Sequence, residues 1–105
     1  MKNKSGVILI SFDLPMETKK NKADYRKFLS ELKKRGFLHM QNSLYYKRVH
    51  NLSNINDEKN IIQEYAPEKG NILMIPLTKS VLSSMKEVVG KKYDVSEVTE
   101  SVFCY

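Results

Sequence analysis

The chain has 105 residues, a net charge of +6 and 41% apolar content, which fits one folded domain and excludes a disordered segment or a multidomain enzyme. Its single cysteine, Cys104, excludes an intramolecular disulfide and a cysteine-based zinc site. No apolar stretch approaches the ~20 residues of a membrane span, and the run at 7–10 is too short for a signal-peptide core, so a cytoplasmic protein away from membranes is expected.

Residues 6–12 are almost all apolar and rich in β-branched side chains, the pattern of a central strand covered on both sides. The run ends in a carboxylate, Asp13, followed by Leu14 and Pro15, and the polar stretch to Asn21 reads as a turn. Tyr25, Phe28, Leu29 and Leu32 repeat at i, i+3, i+4, i+7 and predict a helix over 23–35. Gly36 stands where a helix ends in a left-handed residue, and Lys33, Lys34 and Arg35 lie in the last turn, where the dipole favours cations.

Residues 37–40 and 43–49 predict two strands, or one strand kinked near Gln41 and Asn42. A second helix is expected over 54–66, stopped by Pro67, with a turn at Gly70 and Asn71. Residues 72–78 form another apolar strand, and Pro76, which lacks an N–H, assigns it to a sheet edge. Val81, Leu82, Met85, Val88 and Val89 predict a third helix stopped by Gly90, and 101–105 a short tail strand.

The order βαββαβ predicts an α+β fold, a ferredoxin-like sandwich with an extra C-terminal helix and a short tail strand. The whole chain, 1–105, is a single domain, with a core at 1–78 and an extension at 79–105. An apolar edge strand invites pairing with a second copy, so a homodimer is expected.

The charge is uneven. Residues 19–48 hold ten Lys and Arg against Asp24 and Glu31. Lys19, Lys20, Lys22, Arg26, Lys27, Lys33 and Lys34 can form a stripe along a phosphate backbone, or equally a solvated helix face. Neutralising about six phosphates would make binding steeply salt-dependent, at about −0.9 in log K per phosphate. No base-reading motif accompanies these cations, so the expected binding is sequence-independent. His39 and His50 lack metal-ligand spacing, and Tyr45 and Tyr46 read as strand residues that alternate between core and surface.

Ile10-Ser-Phe-Asp-Leu-Pro15, Tyr25-Arg-Lys-Phe-Leu29, Gly36-Phe37 and Gln41-Asn-Ser-Leu-Tyr45 together resemble the CRISPR-associated protein 2 family, the small subunit of spacer acquisition, in its type II form. The resemblance implies a homodimer that bridges the CRISPR integrase subunit and holds duplex DNA, with RNA as a further substrate. It also implies a Mg²⁺- or Mn²⁺-dependent endonuclease centre whose catalytic and metal-binding residue is Asp13. One carboxylate is a poor Mg²⁺ site, and a twofold axis would supply a second. Gln41 and Ser43 are candidates to support Asp13, against simple turn chemistry, and an Asx-type turn is the competing reading of Asp13 itself. Two rival functions stay open: a stand-alone, toxin-like metal-dependent ribonuclease, and a ferredoxin-like nucleic-acid-binding module without chemistry. The leading reading expects two subunits to bring Asp13 and the cationic flank to one shared surface.

Overall fold

The structure, a computed structural model, describes residues 5–88. Four strands, β1 (Gly6–Asp13), β2 (Leu38–Gln41), β3 (Leu44–Val49) and β4 (Asn71–Thr78), form one antiparallel sheet in the order β2-β3-β1-β4. Helices α1 (Lys19–Lys34) and α2 (Ile55–Glu64) supply the βαββαβ pattern, and α3 (Lys79–Ser83) follows. This is the expected ferredoxin-like arrangement. β1 is internal and β4 carries Pro76 at an edge, opposite Ile8, where one ladder rather than two must do without its N–H.

The alternation along β1 explains its unbroken apolar run. Ile8, Ile10 and Phe12 enter the main core with Phe28 and Leu32 of α1, Ile62 of α2, Phe37 and Tyr45. Val7 and Leu9 face the other way and pack with Met40, Tyr46 and Leu82 of α3. Phe12 holds the exit of β1 in an aromatic cluster, with its ring 5.4 Å from Phe28 at 85° and 5.8 Å from Tyr45, the edge-to-face and offset contacts that aromatic quadrupoles prefer. A half-buried ion pair, Lys47 Nζ to Glu58 Oε2 at 3.1 Å, ties β3 to α2.

Two expectations need correction. Helix α1 begins at Lys19, not 23, because Thr18 caps it: the hydroxyl accepts from Asn21 N–H at 3.0 Å. The apolar periodicity starts only at Tyr25, so the first turn carried no such signal. The third helix ends at Ser83, so Met85 and Val88 lie beyond it; Ser84 and Met85 close its end with bonds to Val81 and Leu82. Of the two readings of 37–49, two strands or one kinked strand, the structure has the first: β2 and β3 are joined by a tight turn with Asn42 left-handed at φ 37°. Val89, Gly90 and the tail strand at 101–105 lie outside the described residues.

At the end of α1, Gly36 has φ 93°, and Gly36 and Phe37 N–H bond to the Lys33 and Leu32 carbonyls, a Schellman stop that requires a residue without Cβ strain. Among the described residues no helix is long and apolar enough to cross a membrane.

Candidate metal centre and nucleic-acid interface

Asp13 is the last residue of β1 and is exposed. Strand alternation places it with Val7, Leu9 and Ser11 on the face away from α1 and α2. Its carboxylate makes no hydrogen bond and no ion pair among the described residues, so the Asx-type turn does not account for it.

The backbone beneath it is fixed from three sides. Phe12 is locked in the core, and Phe12 N–H donates to the Ser43 carbonyl at 3.1 Å. Asp13 itself pairs with Asn71 across the β1–β4 ladder. Gly70, at φ 110°, runs so close that an added Cβ would lie 2.7 Å from the Asp13 carbonyl oxygen. Ser43 thus supports the strand exit through its main chain. Gln41 sits at the hairpin end of β2, exposed. Neither the Gln41 nor the Ser43 side chain hydrogen-bonds Asp13. Gly70 and Asn71, which the sequence suggested only as a turn, are the closer neighbours; the register that brings them to Asp13 is non-local and leaves no short-range signal.

The donors on this face fit a hard cation. They are oxygens, from Asp13 and the Ser11 hydroxyl, and among the described residues no imidazole pairs beside them on this face, a set that suits Mg²⁺ or Mn²⁺. Among the described residues no three His, Cys, Asp or Glu side chains cluster. One chain alone therefore offers an incomplete site.

Beyond Asp13, Ser11 and Asn71, the sheet face away from α1 and α2 exposes large apolar side chains. Leu73 is 63% exposed, Leu38 55% and Ile75 37%, while α3 covers the other end with Leu82. Leu73 and Ile75 pair with Ser11 and Leu9, and Leu38 with Tyr46, so all share the face of Asp13. The unpaired apolar surface is thus a sheet face and not only the β4 edge.

The seven candidate cations all lie on α1 and are exposed. At about 100° per residue they occupy the outer side of the helix, opposite buried Phe28 and Leu32. Lys20 is paired with Asp24 at 3.2 Å and Lys34 with Glu31 at 3.5 Å. Lys19, Lys22, Arg26, Lys27 and Lys33 have no acidic partner among the described residues. Lys19, Lys22, Arg26 and Lys33 fall within about 60° of one another, a row about 21 Å long.

The shared surface expected for acid and cations is not what one protomer shows: α1 packs on the opposite face of the sheet from Asp13. They meet at one end only, where the loop between β1 and α1 joins Asp13 to Lys19.

The burial of Tyr45 and Tyr65 holds both phenols above the usual value of 10.0; Tyr25 reinforces the first, and for the second Arg35 opposes burial while Glu31 and Glu58 add to it.

A family model described as CRISPR associated protein Cas2 matches residues 7–85. A CRISPR-associated endoribonuclease Cas2 of Ligilactobacillus salivarius is 33% identical over 94 residues, covering 90% of this chain and 91% of that protein. Proteins of the same name from Treponema denticola and Streptococcus mutans are each 31% identical, over 84 and 85 residues, covering 80% and 81% of this chain and 83% and 79% of theirs.

Proposed function

The chain belongs to the CRISPR associated protein Cas2 family, and from that membership we propose that it serves spacer acquisition in the cytoplasm as a homodimer that binds duplex DNA through its phosphates and docks the CRISPR integrase. One observation carries the reading: five cations, Lys19, Lys22, Arg26, Lys27 and Lys33, line the outer side of α1 with no acidic partner among the described residues. Such a row is repelled by itself and is relieved by a polyanion. It offers no arrangement for reading base edges, so unrelated duplexes bind alike.

The exposed part of the sheet face away from α1 and α2 supports the homodimer reading. Leu73, Leu38 and Ile75 are large and exposed on one side of one sheet, a patch that a second copy of itself would cover. Burying each of these side chains contributes about 1.5–3 kcal/mol at most.

A second reading, a metal-dependent endonuclease, is favoured by the unpartnered Asp13 carboxylate on that same face and by the names of the relatives. The Asp13 carboxylates of two protomers would hold Mg²⁺ or Mn²⁺. When bound, the ion supplies positive charge against a phosphodiester and orients water. The chain itself presents Asp13 on a strand end that Phe12 anchors, with Lys19 at the start of α1 across the intervening loop.

The test is a pair of assays on the same preparations. Fluorescence anisotropy with two duplexes of unrelated sequence is expected to give equal affinity that falls steeply with salt, and Asp13→Ala is expected to leave it unchanged. Co-purification with the integrase is expected for both. Sequence-selective or salt-insensitive binding, or no integrase association, overturns the scaffold reading. Divalent-dependent cleavage that survives Asp13→Ala overturns the nuclease reading.

A further inference from the structure

Asn71 has no role in the fold that its side chain would explain. It begins β4, is exposed, and lies directly opposite Asp13 in the β1–β4 register. Residues so paired point to the same side of the sheet with Cβ atoms about 4.5–5.5 Å apart. An asparagine beside a turn usually bonds to nearby backbone. Asn51 of this chain does so, its Oδ1 accepting from Ser53 N–H at 3.0 Å. Asn71 makes no hydrogen bond with its side chain among the described residues, nor does Asp13. Two polar side chains thus stand directly opposite each other, both without a side-chain hydrogen bond among the described residues, beside Ser11 on a face whose other neighbours, Leu9, Leu73 and Ile75, are apolar.

The backbone holds them in that relation. Asn71 follows Gly70, whose left-handed φ of 110° carries the chain within van der Waals reach of the Asp13 carbonyl. A side chain at 70 would push the two strand ends apart. The pair is therefore built on two hydrogen-bonded strands rather than on loops.

We propose that Asn71 is the second protein oxygen ligand, through its amide carbonyl, of the divalent cation that Asp13 binds. The inference rests on the metal reading of Asp13 given above. Its chemistry is that of a hard ion: Mg²⁺ and Mn²⁺ accept amide oxygens beside carboxylates. The charge also balances. A twofold pair carries two negative charges from Asp13, equal to one divalent ion, and Asn71 adds donors without adding charge. Two carboxylates and two amides would still leave room among such an ion's oxygen ligands for water or phosphate oxygen.

The test is Mn²⁺ binding to the full chain, read from the electron paramagnetic resonance of the free ion. Wild type is compared with Asp13→Asn, Asn71→Ala and Asn71→Asp, with melting curves run alongside. Asp13→Asn is expected to abolish binding. Asn71→Ala is expected to weaken it about tenfold or more while melting like wild type, and Asn71→Asp, which keeps the oxygen, to bind at least as tightly as wild type. If Asn71→Ala melts early, Asn71→Leu, similar in shape without the oxygen, takes its place. Unchanged Mn²⁺ affinity in Asn71→Ala, with binding lost in Asp13→Asn, overturns the role of Asn71 and leaves the Asp13 site standing. Equal absence of binding in wild type and Asp13→Asn overturns the metal reading and this inference with it.

Discussion

Replacing Lys22, Arg26 and Lys33 with Gln removes three of the five unpaired cations on α1 without touching the core, since all three are exposed. The structure sets the size of the effect. These residues share one row, spaced so that a phosphate backbone following α1 passes each. Each lost phosphate contact removes about 0.9 from the slope of log K against log salt. The triple variant is therefore expected to be shallower by about 2.7 per protomer on a long duplex. Between 50 and 200 mM salt, wild type should lose about fortyfold more affinity than the variant from these contacts alone. A matched variant, Lys20→Gln with Lys34→Gln, tests the pairing argument. Those ammonium groups already face Asp24 and Glu31, so a phosphate must compete for them, and the slope is expected to change by less than about one. The assay is an anisotropy titration of one labelled duplex at four salt concentrations. An unchanged slope in the triple variant, or an equal change in the double variant, refutes the assignment of the interface to this row.

Asp13→Ala is expected to abolish divalent-dependent cleavage yet shift stability by less than about 0.5 kcal/mol, since the carboxylate is exposed and unpaired; a large fall in melting temperature would reveal a structural role instead. Gly70→Ala is expected to cost about 1–3 kcal/mol in denaturant unfolding, because φ 110° and a Cβ 2.7 Å from the Asp13 carbonyl are both adverse; wild-type stability would mean that this loop relaxes freely. Tyr65 Oη is buried without a hydrogen-bond partner among the described residues, so Tyr65→Phe is expected to be neutral or to stabilise by about 1 kcal/mol, a rise of a few degrees in Tm. Because the folded phenols of Tyr45 and Tyr65 titrate above 10.0, the folded state keeps protons that the unfolded state releases. Their contribution is complete below about pH 10 and is lost as pH rises above it. Replacing both with Phe should flatten that alkaline loss, measured by urea unfolding from pH 9 to 11.

The elements that local pattern specifies were legible in the residues. The two-sided run of β1, the i, i+3, i+4, i+7 face of α1, Gly36 at its stop and Pro76 at an edge all report their surroundings through side-chain chemistry next door in sequence. Asp13 stood out because a charge ended an apolar strand. The first turn of α1 was hidden because its apolar face begins at Tyr25, and only Thr18 marked the start. Asn71 could not be found beforehand, since its relation to Asp13 exists only through a register between strands 58 residues apart. The separation of Asp13 from the outer side of α1 was also invisible, because strand parity fixes the face only once the helix layer is known. Which cations are neutralised depended on side-chain reach: Lys20 and Lys34 have acids within 4 Å, and Lys33, beside Lys34 in sequence, has none among the described residues.

A twofold assembly holding one nucleic acid is best tested by sedimentation of the full chain, of mass 12.2 kDa, with one short labelled duplex, for wild type and for Leu73→Glu with Ile75→Glu. Wild type is expected to sediment as two protomers, alone and on the duplex, and the double variant as a single protomer that binds more weakly. A wild-type monomer on DNA, or a double variant that still pairs, would contradict assembly over the sheet face that carries Leu73 and Ile75.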